Sequence, residues 1–271
     1  MSAKPGTAVV VKIGGSMAED RKCLEELAAD IAKLAASGQR VALVHGGGKD
    51  INRNLQWLGQ EPKFVDGLRF TNDAAMDMVE MTLSGRVNKL LVRLLTAAGA
   101  KPCGISGVDG SLFSATPLRD DGALGQVGKV TTVKTELVEA LWAGGFVPVV
   151  SPVSLGPDGN SWNVNADDAA AALASALVAK RLVFVSDVPG VLDADKKRIA
   201  SLNSSQIEEL IASGVANGGM IPKLRGCAET VAAGVAGVVI SGWSGSGSLG
   251  QILNGTSGTI IQAATTVRES A

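Results

Sequence analysis

The stretch from Val9 to Ser16 reads VVVKIGGS, a β-branched run with one lysine that ends in two glycines. Its apolar character predicts a buried strand over Val9–Ile13. The glycines precede a segment of helical composition, so they belong to a turn between a strand and a helix. Glycines in such a turn let backbone N–H groups converge on an anion, and Lys12 adds a positive charge. The stretch therefore predicts either a phosphate-binding turn or a tight turn with a purely structural role.

Short apolar runs and longer Ala/Leu-rich stretches alternate along most of the chain. Buried strands are predicted at residues 9–13, 40–45, 146–150, 182–186 and 235–240. Helices are predicted at residues 19–37, 49–58, 72–98, 135–143, 166–178, 204–213 and 220–233. This order predicts an α/β fold, a three-layer αβα sandwich with a largely parallel central sheet. Ligands bind beyond the carboxyl ends of the strands in such sheets, so the turns there are the candidate sites.

Two glycine-rich regions depart from this alternation. Residues 101–162 contain short strand pieces separated by turn signals, which predicts antiparallel hairpins at the sheet edge that form a wall of the substrate site. Residues 241–250 read SGWSGSGSLG, and this low-complexity composition predicts a mobile loop.

The overall composition excludes several classes of partner. The 271 residues carry 25 Lys and Arg against 26 Asp and Glu, a net charge of −1 without a basic stripe, so nucleic acid is not expected as a partner. No apolar run approaches the roughly 20 residues that span a bilayer, so no membrane association is expected. The three cysteines have no metal-like spacing and are expected to be reduced thiols, which predicts a cytoplasmic protein.

Two further turns carry candidate binding groups. His45, the only histidine, precedes Gly46, Gly47 and Gly48, and this triple glycine allows a very close backbone approach. We expect His45 to position that turn rather than to act in catalysis. Arg69 follows Gly67 and Leu68 and could hold a carboxylate by two parallel hydrogen bonds, although an exposed surface arginine is the simpler alternative.

Two helix starts carry more polar groups than a helix needs. The segment WNVNADD at residues 162–168 opens an Ala-rich helix. Asn165 or Asp167 could cap that helix, but two asparagines and two aspartates together favour a functional role. Lys223 lies in the first turn of another helix, where the helix dipole disfavours a cation. Such violations of local rules are typical of functional sites.

Six motifs stand out along the chain: KIGG at 12–15, HGGG at 45–48, GLRFT at 67–71, NVNAD at 163–167, SDVPGVL at 186–192 and GMIPK at 219–223. They occur in the order found in the amino acid kinase family, and the chain resembles that family from Val9 to Ile261. Within the family it is most similar to the acetylglutamate kinases. The resemblance implies one domain over residues 1–271. Residues 1–179 would form an N-terminal lobe for acyl-amino-acid binding and dimerisation, and residues 180–271 a C-terminal lobe for ATP.

The resemblance also implies a role for each matching residue. The catalytic residues would be Lys12, Asp167 and Lys223, with Gly14 and Gly15 contacting the transferred phosphate. The acyl-amino-acid would be held by Gly47, Gly48, Arg69 and Asn163. The nucleotide would be bound by Asp187, Val188, Pro189, Gly190, Val191, Leu192, Val215, Ala216 and Asn217. No protein ligand for a metal is implied, because Mg²⁺ would be held mainly by the phosphates of ATP.

The implied activity is ATP-dependent phosphorylation of the side-chain carboxylate of N-acetyl-L-glutamate, a step of arginine biosynthesis. Such a carboxylate has a pKa of about 4.3, so it is already an anion and needs no general base. One alternative is the N-acetyl-aminoadipate kinase of lysine biosynthesis, because a single methylene changes binding by only about 1–3 kcal/mol. The other is a non-catalytic nucleotide-binding protein of the same fold.

A homodimer that is insensitive to arginine is expected from the resemblance. Arginine-inhibited members carry an additional N-terminal helix, and the residues before Val9 leave no room for one. The expected dimer surface is the helix over residues 72–98, whose Met76, Val79, Leu83 and Leu90 exceed one buried stripe. The alternative is that these side chains are simply core.

Overall fold

A computed structural model describes residues 7–264, apart from the side chain of Ser16. Its strands are β1 (Val9–Ile13), β2 (Val41–His45), β3 (Phe64–Val65), β4 (Leu68–Arg69), β5 (Pro102–Ser106), β6 (Phe113–Pro117), β7 (Val127–Val133), β8 (Val147–Ser151), β9 (Val153–Leu155), β10 (Ser161–Val164), β11 (Arg181–Ser186), β12 (Ser201–Leu202), β13 (Val238–Gly242) and β14 (Thr259–Ile261). Its α-helices are α1 (Arg21–Ala36), α2 (Gly48–Trp57), α3 (Asp73–Glu80), α4 (Asn88–Ala97), α5 (Glu136–Ala143), α6 (Ala166–Ala176), α7 (Ser204–Ala212), α8 (Met220–Ala232) and α9 (Ser248–Leu253). Short 3₁₀ turns occupy Gly15–Glu19 and Asp109–Ser111, and a π-helical segment spans Met81–Val87.

The central sheet has eight strands in the order β12-β14-β13-β11-β1-β2-β8-β5. Its neighbours pair in parallel except β13 and β14, which are antiparallel. All predicted strands are present, and β1 has the predicted bounds. The start of β13 differs most, because it lies at Val238 rather than at residue 235. The largely parallel sheet is thus confirmed.

The side chains of β1 alternate between two apolar layers. Val10 packs in the layer that contains Leu173 of α6 and Leu224 of α8. Val9, Val11 and Ile13 pack in the opposite layer, against α1, α4 and α9. This period of two residues is the ordinary geometry of a strand, and burial on both faces explains why the run is continuously apolar. The three-layer αβα sandwich is confirmed, and position 12 lies on the α6 and α8 side.

The long helix predicted over residues 72–98 is interrupted by the π-helical segment. Asn72 caps α3 by accepting the N–H of Ala75 at 3.0 Å. Met76, Val79 and Leu83 are all at most 4% exposed within their own chain. The prediction that these three side chains form a dimer surface is therefore wrong, because they are already buried within the same chain, in an apolar cluster with residues of α2 and β9.

The inserted region forms a ring of four strands. β6 and β7 are antiparallel, as are β9 and β10, so hairpin-like antiparallel pairing is confirmed there. The ring closes through parallel contacts of β7 with β10 and of β6 with β9, which the sequence pattern did not indicate. A separate hairpin joins β3 and β4 through Asp66 (φ 51°) and Gly67 (φ 79°). An Asp-Gly pair with two positive φ values is typical of a tight type I′ turn.

The prediction of a mobile loop over residues 241–250 is wrong at both ends. β13 continues to Gly242, and α9 begins at Ser248. The carboxylate of Asp30, on α1, accepts the backbone N–H of Gly247 at 3.0 Å and of Leu249 at 3.2 Å. This distant acceptor holds the start of α9, and composition alone gave no sign of it. Between residues 7 and 264, no helix is long and apolar enough to cross a membrane.

Candidate active site

A cleft of about 290 Å³ lies beyond the carboxyl ends of β1 and β2. Its walls come from the turns after these strands, the start of α6, the β3–β4 hairpin and the four-stranded ring. Most residues predicted for catalysis and acyl-amino-acid binding meet here. They are Lys12, Gly14, Gly15, Gly47, Gly48, Arg69, Asn163 and Asp167.

The carboxylate of Asp167 binds a lysine on each of its oxygens. Oδ1 lies 2.6 Å from Nζ of Lys12, and Oδ2 lies 3.3 Å from Nζ of Lys223. Lys12 comes from β1 because its position faces α6, whereas Lys223 comes from the first turn of α8. Nζ of Lys223 also lies 5.0 Å from the ring centroid of Phe184, a cation–π contact. The structure therefore brings the three predicted catalytic residues together.

The charge of Asp167 is stabilised by its partners. Burial alone would raise the pKa of this carboxyl, but the charges of Lys12 and Lys223 outweigh that effect and hold the pKa below its ordinary value of 3.8. The side chain of Asn165 caps α6 by accepting the N–H of Asp167 at 2.7 Å. Asp167 is also in the first turn of the helix, where the dipole favours a negative charge. The site thus presents two fixed ammonium groups around one ionised carboxylate.

The first glycine turn leaves little room for side chains. Gly15 has a φ of +66°, and a Cβ there would lie 2.6 Å from Oδ2 of Asp187. Glycine is favoured at this position because the backbone is in the left-handed region. A Cβ on Gly14 would compete for space with the ammonium end of the Lys12 side chain. The turn leaves its backbone beside Lys12, which is an arrangement suited to binding an anion.

The second glycine turn packs against the π-helical segment. A Cβ on Gly47 would lie 2.7 Å from Cδ2 of Leu83 and 3.2 Å from Cγ2 of Val87. His45 is fully buried behind the turn, and its Nδ1 lies 3.0 Å from the carbonyl oxygen of Gly46. This placement agrees with the expectation that His45 positions the turn, since its ring does not reach the cleft.

Arg69 enters the cleft from the β3–β4 hairpin with part of its hydrogen-bonding capacity unused. Its Nη2 donates to the carbonyl oxygen of Gly48 at 3.0 Å, and its guanidinium stacks 5.0 Å from the ring centroid of Phe64. Its Nη1 is buried and has no hydrogen-bond partner among the described residues. Burial lowers the pKa of Arg69 below its ordinary value, a cost that an anionic ligand would offset.

Asn163 is connected to Arg69 through a threonine. Its Nδ2 donates to Oγ1 of Thr71 at 3.0 Å, and that hydroxyl donates to the carbonyl oxygen of Arg69 at 2.9 Å. Thr71 is fully buried, so this link ties the side chain of Asn163 to the backbone of Arg69. The sequence motif GLRFT indicated the arginine but not the role of Thr71.

The comparison with known protein families agrees with this geometry. Residues 7–242 match the amino acid kinase family over most of the chain. The chain belongs to the amino acid kinase family.

Relatives of known name lie within this family. An acetylglutamate kinase from Rubrobacter xylanophilus is 44% identical over 254 residues, which cover 94% of this chain and 96% of that protein. An acetylglutamate kinase from Granulibacter bethesdensis is 44% identical over 246 residues, or 87% of this chain and 83% of that one.

Solved structures of amino acid kinase fold also superpose on the chain. The protein smu.665 from Streptococcus mutans has a TM-score of 0.80 at 29% identity, covering 95% of this chain and 99% of that one. An N-acetylglutamate synthase from Neisseria gonorrhoeae has a TM-score of 0.83 at 24% identity, covering 96% of this chain and 60% of that one. A carbamate kinase from Giardia has a TM-score of 0.70 at 18% identity, with 95% and 99% coverage. The last two similarities concern the fold alone.

The residues that the family pattern assigns to the nucleotide lie beside the cleft rather than in it. Asp187 and Pro189 line a neighbouring cavity of about 580 Å³ at the ends of β11 and β13. Val191 and Ala216 are buried in the same apolar cluster, which brings the turns 187–192 and 215–217 to one side of the sheet. Asn217 is exposed just before α8. The nucleotide-binding roles of Val188, Gly190, Leu192 and Val215, like those of the other residues in these turns, stay predictions.

Apolar wall residues are the part of the site that the sequence did not single out. The hairpin region was expected to form a wall, but its contributing side chains could not be named because alternation in short strands is ambiguous. Asp168, the residue after Asp167, also lines the cleft. Burial raises the pKa of Asp168, and the negative charges of Asp167 and Glu229 raise it further. The apolar wall residues are Ile51, Leu68, Leu83, Leu118, Val127, Pro152 and Val164.

Proposed function

We propose that this chain transfers the γ-phosphoryl group of ATP to the side-chain carboxylate of N-acetyl-L-glutamate. The observation that carries the proposal is the pair of ion pairs from Lys12 and Lys223 to the two oxygens of Asp167. They lie beside a guanidinium nitrogen of Arg69 that has no hydrogen-bond partner within residues 7–264. The acetylglutamate kinases at 44% identity support the same reaction. The chain is accordingly an enzyme, a kinase of amino-acid biosynthesis, and it uses ATP.

The acceptor half of the reaction requires positioning rather than activation. A carboxylate is already a nucleophile at neutral pH, so no residue has to remove a proton. We propose that Arg69 and Asn163 hold the carboxylate that does not react, because a guanidinium bound to the reacting group would withdraw electron density from it. Gly47 and Gly48 would contact the acyl-amino-acid, and the apolar walls would contact its methylene groups. A guanidinium carries N–H donors on several nitrogens in one plane, which matches the two oxygens of a carboxylate.

The donor half of the reaction requires charge neutralisation. Lys12 and Lys223 approach Asp167 from different elements. This arrangement supports the proposal that the two lysines contact the transferred group from two sides. Backbone N–H groups of Gly14 and Gly15 would add donors next to Lys12. Such fixed positive groups stabilise charge that develops during transfer without reorganising. Asp167 would orient both lysines, and their charges in turn hold its pKa below the ordinary value against the effect of burial.

We propose that magnesium accompanies the nucleotide and is held mainly by its phosphates. The lysines and the glycine turn provide cationic and N–H groups, and these groups fit the phosphates of a polyanionic ligand. When bound, Mg²⁺ supplies positive charge to the β- and γ-phosphates. Within residues 7–264, no group of three or more His, Cys, Asp or Glu side chains is arranged to hold a metal ion.

We propose that the chain has two functional halves. Residues 1–179 would bind the acceptor and residues 180–271 the nucleotide, with the nucleotide contacting Asp187 to Leu192 and Val215 to Asn217. Lys12 and Asp167 then belong to the first half and Lys223 to the second. We also propose a cytoplasmic homodimer, whose interface does not use the buried Met76, Val79 and Leu83. Sedimentation equilibrium of the purified protein measures the assembly directly.

Trapping of the acyl phosphate with hydroxylamine tests the proposed reaction. The protein is incubated with Mg-ATP and with N-acetylglutamate, N-acetyl-α-aminoadipate, glutamate or no acceptor. Hydroxamate should form much faster with N-acetylglutamate than with the other acceptors. Lys223→Met should lower kcat at least about 100-fold, since one fixed positive group contributes about 3 kcal/mol or more to the transition state. The exposed Lys180→Met is the matched control and should leave the rate unchanged. A faster reaction with the aminoadipate derivative, or none at all, contradicts the proposal.

A further inference from the structure

Two fully buried polar side chains lie directly behind the second glycine turn. His45 ends β2 and Asn88 begins α4, and neither is accessible to solvent. Nδ1 of His45 lies 3.0 Å from the carbonyl oxygen of Gly46. Nε2 of the same ring lies 3.1 Å from Nδ2 of Asn88. The ring is therefore held on one side by the turn and on the other by a helix.

These contacts require a single tautomer of the histidine. A carbonyl oxygen only accepts, so Nδ1 carries the proton that bonds to Gly46. The amide nitrogen of Asn88 only donates, so Nε2 is unprotonated. Burial lowers the pKa of His45 to about 4, and the positive charge of Lys89 acts in the same direction, so the ring is neutral near pH 7. The amide itself is oriented because Nζ of Lys89 donates to Oδ1 of Asn88 at 3.0 Å.

Asn88 is tied to the sheet at more than one place. Its Nδ2 lies 2.8 Å from the carbonyl oxygen of Val149 in β8 and 3.3 Å from that of Ile105 in β5. An amide nitrogen has two hydrogens, and the two shortest contacts are to Val149 and His45. The position of the His45 ring is consequently set by the central sheet and by α4.

The glycine turn is held at three points, one for each residue. Arg69 donates to the carbonyl oxygen of Gly48, and Leu83 packs against Gly47. His45 bonds to the carbonyl oxygen of Gly46. We propose that Asn88 is a positioning residue for acceptor binding, which acts through His45 to fix the Gly46 carbonyl and so the peptide groups of Gly47 and Gly48. The kinetic consequences of this inference rest on the proposed function, but the tautomer of His45 does not.

Nitrogen-15 NMR tests the tautomer without any assignment problem, because the chain has one histidine. Protein labelled at the histidine ring should show a protonated Nδ1 and an unprotonated Nε2 at pH 7. In Asn88→Leu, which removes the amide at similar volume, Nδ1 should stay protonated while the Nε2 resonance shifts, because Nε2 loses its hydrogen-bond donor. A wild-type ring protonated at Nε2, or a ring unaffected by Asn88→Leu, overturns the inference.

Steady-state kinetics test the consequence for the acceptor. Asn88→Leu should raise the KM for N-acetylglutamate at least tenfold and leave the KM for ATP within twofold. The matched control is Thr230→Val, a buried polar-to-apolar change that removes the bond from Thr230 to the carbonyl oxygen of Gly226 in α8. It should leave the acceptor KM unchanged. Equal increases of both KM values in Asn88→Leu, or the same acceptor effect in Thr230→Val, would mean a general loss of structure and overturn the inference.

A milder variant covers the case in which Asn88→Leu does not fold. Lys89→Met removes the donor to Oδ1 of Asn88 at an exposed position, and it should raise the acceptor KM about two- to fivefold and broaden the histidine ring signals. An unchanged acceptor KM with unchanged ring signals counts against the inference. Failure of the proposed function can be distinguished from failure of this inference. In the first case the wild-type protein would form no hydroxamate, but NMR would still report the tautomer of the His45 ring.

Discussion

Among single residues, Arg69 gives the most direct support for the proposal that the cleft binds an anion. One of its nitrogens is used by the protein and another is buried without a partner in the described part of the chain. A buried charged donor that lacks a partner costs free energy, and a bound carboxylate removes that cost. A lysine at this position has the charge but not the planar pair of donors.

Arg69→Lys is therefore expected to weaken acceptor binding. The KM for N-acetylglutamate should rise about 10- to 100-fold, which corresponds to the loss of one charge-assisted bond of about 1.5–3 kcal/mol. The KM for ATP should change little. Arg225→Lys, in an exposed ion pair with Glu208, is the matched control and should behave like wild type. An unchanged acceptor KM in Arg69→Lys would show that the substrate carboxylate binds elsewhere.

A pair of alanine substitutions separates the role of the first glycine turn from backbone strain. Gly15 and Gly38 both have positive φ, at +66° and +83°. A side chain at Gly15 meets the carboxylate of Asp187, whereas one at Gly38 has no atom within 4 Å. Both variants should lose about 1 kcal/mol of stability from the strained backbone. Only Gly15→Ala should lower kcat/KM for ATP, by at least tenfold in the hydroxamate assay. Equal activity of the two variants would refute a phosphate-binding role for the turn.

At the scale of the elements, α9 depends on an acceptor from another helix. Asp30 accepts two backbone N–H groups at the start of α9 and is only 6% exposed. Asp30→Asn replaces one accepting oxygen by a donor and should lower the free energy of unfolding by about 2 kcal/mol in urea. Glu25→Gln removes a charge from an exposed pair with Arg21 on the same helix and should change it by less than about 0.5 kcal/mol. Similar effects of the two changes would mean that α9 does not need this cap.

The same element shows what the sequence could and could not predict. The central strands are recognisable because they are buried on both faces and hence continuously apolar. α9 is not, because serine and glycine dominate its start and its cap lies more than 200 residues away along the chain. Short strands such as β12 and β14, with two and three residues, carry too few positions for a pattern.

The candidate site divides in the same way. Lys12, Asp167 and Lys223 were predicted because each stands in a motif at a turn or helix start, and the structure brings them together. Asn88 was not predicted, because an asparagine within a helical stretch is normally an exposed polar residue. Only the packing of α4 on β2, β5 and β8 shows that it is buried. Thr71 was missed for the same reason, because its role depends on contacts between distant segments.

For the molecule as a whole, His45 should make stability depend on pH. Its pKa is about 4 in the folded chain against an ordinary 6.5, so between these values the unfolded chain binds more protons. Stability therefore rises with pH across this window and is lost as the pH falls below 6.5. From pH 7 to pH 5 the wild type should lose about 2 kcal/mol more than His45→Asn, because one pKa unit corresponds to 1.36 kcal/mol. Urea unfolding at several pH values measures the difference, and parallel curves for the two proteins would contradict it.

The alternation of β1 between two apolar layers has a consequence for folding. The register of a short strand that is apolar on both faces is weakly defined, because a shift by one residue places one apolar face where the other had been. Lys12 removes this ambiguity. In the native register its ammonium group meets Asp167, but after a one-residue slip it would be buried without a partner beneath α1 and α4. Such a burial is far more costly than the loss of an apolar contact. Lys12, for which we propose a role in phosphoryl transfer, thus also favours the native register of β1 during folding.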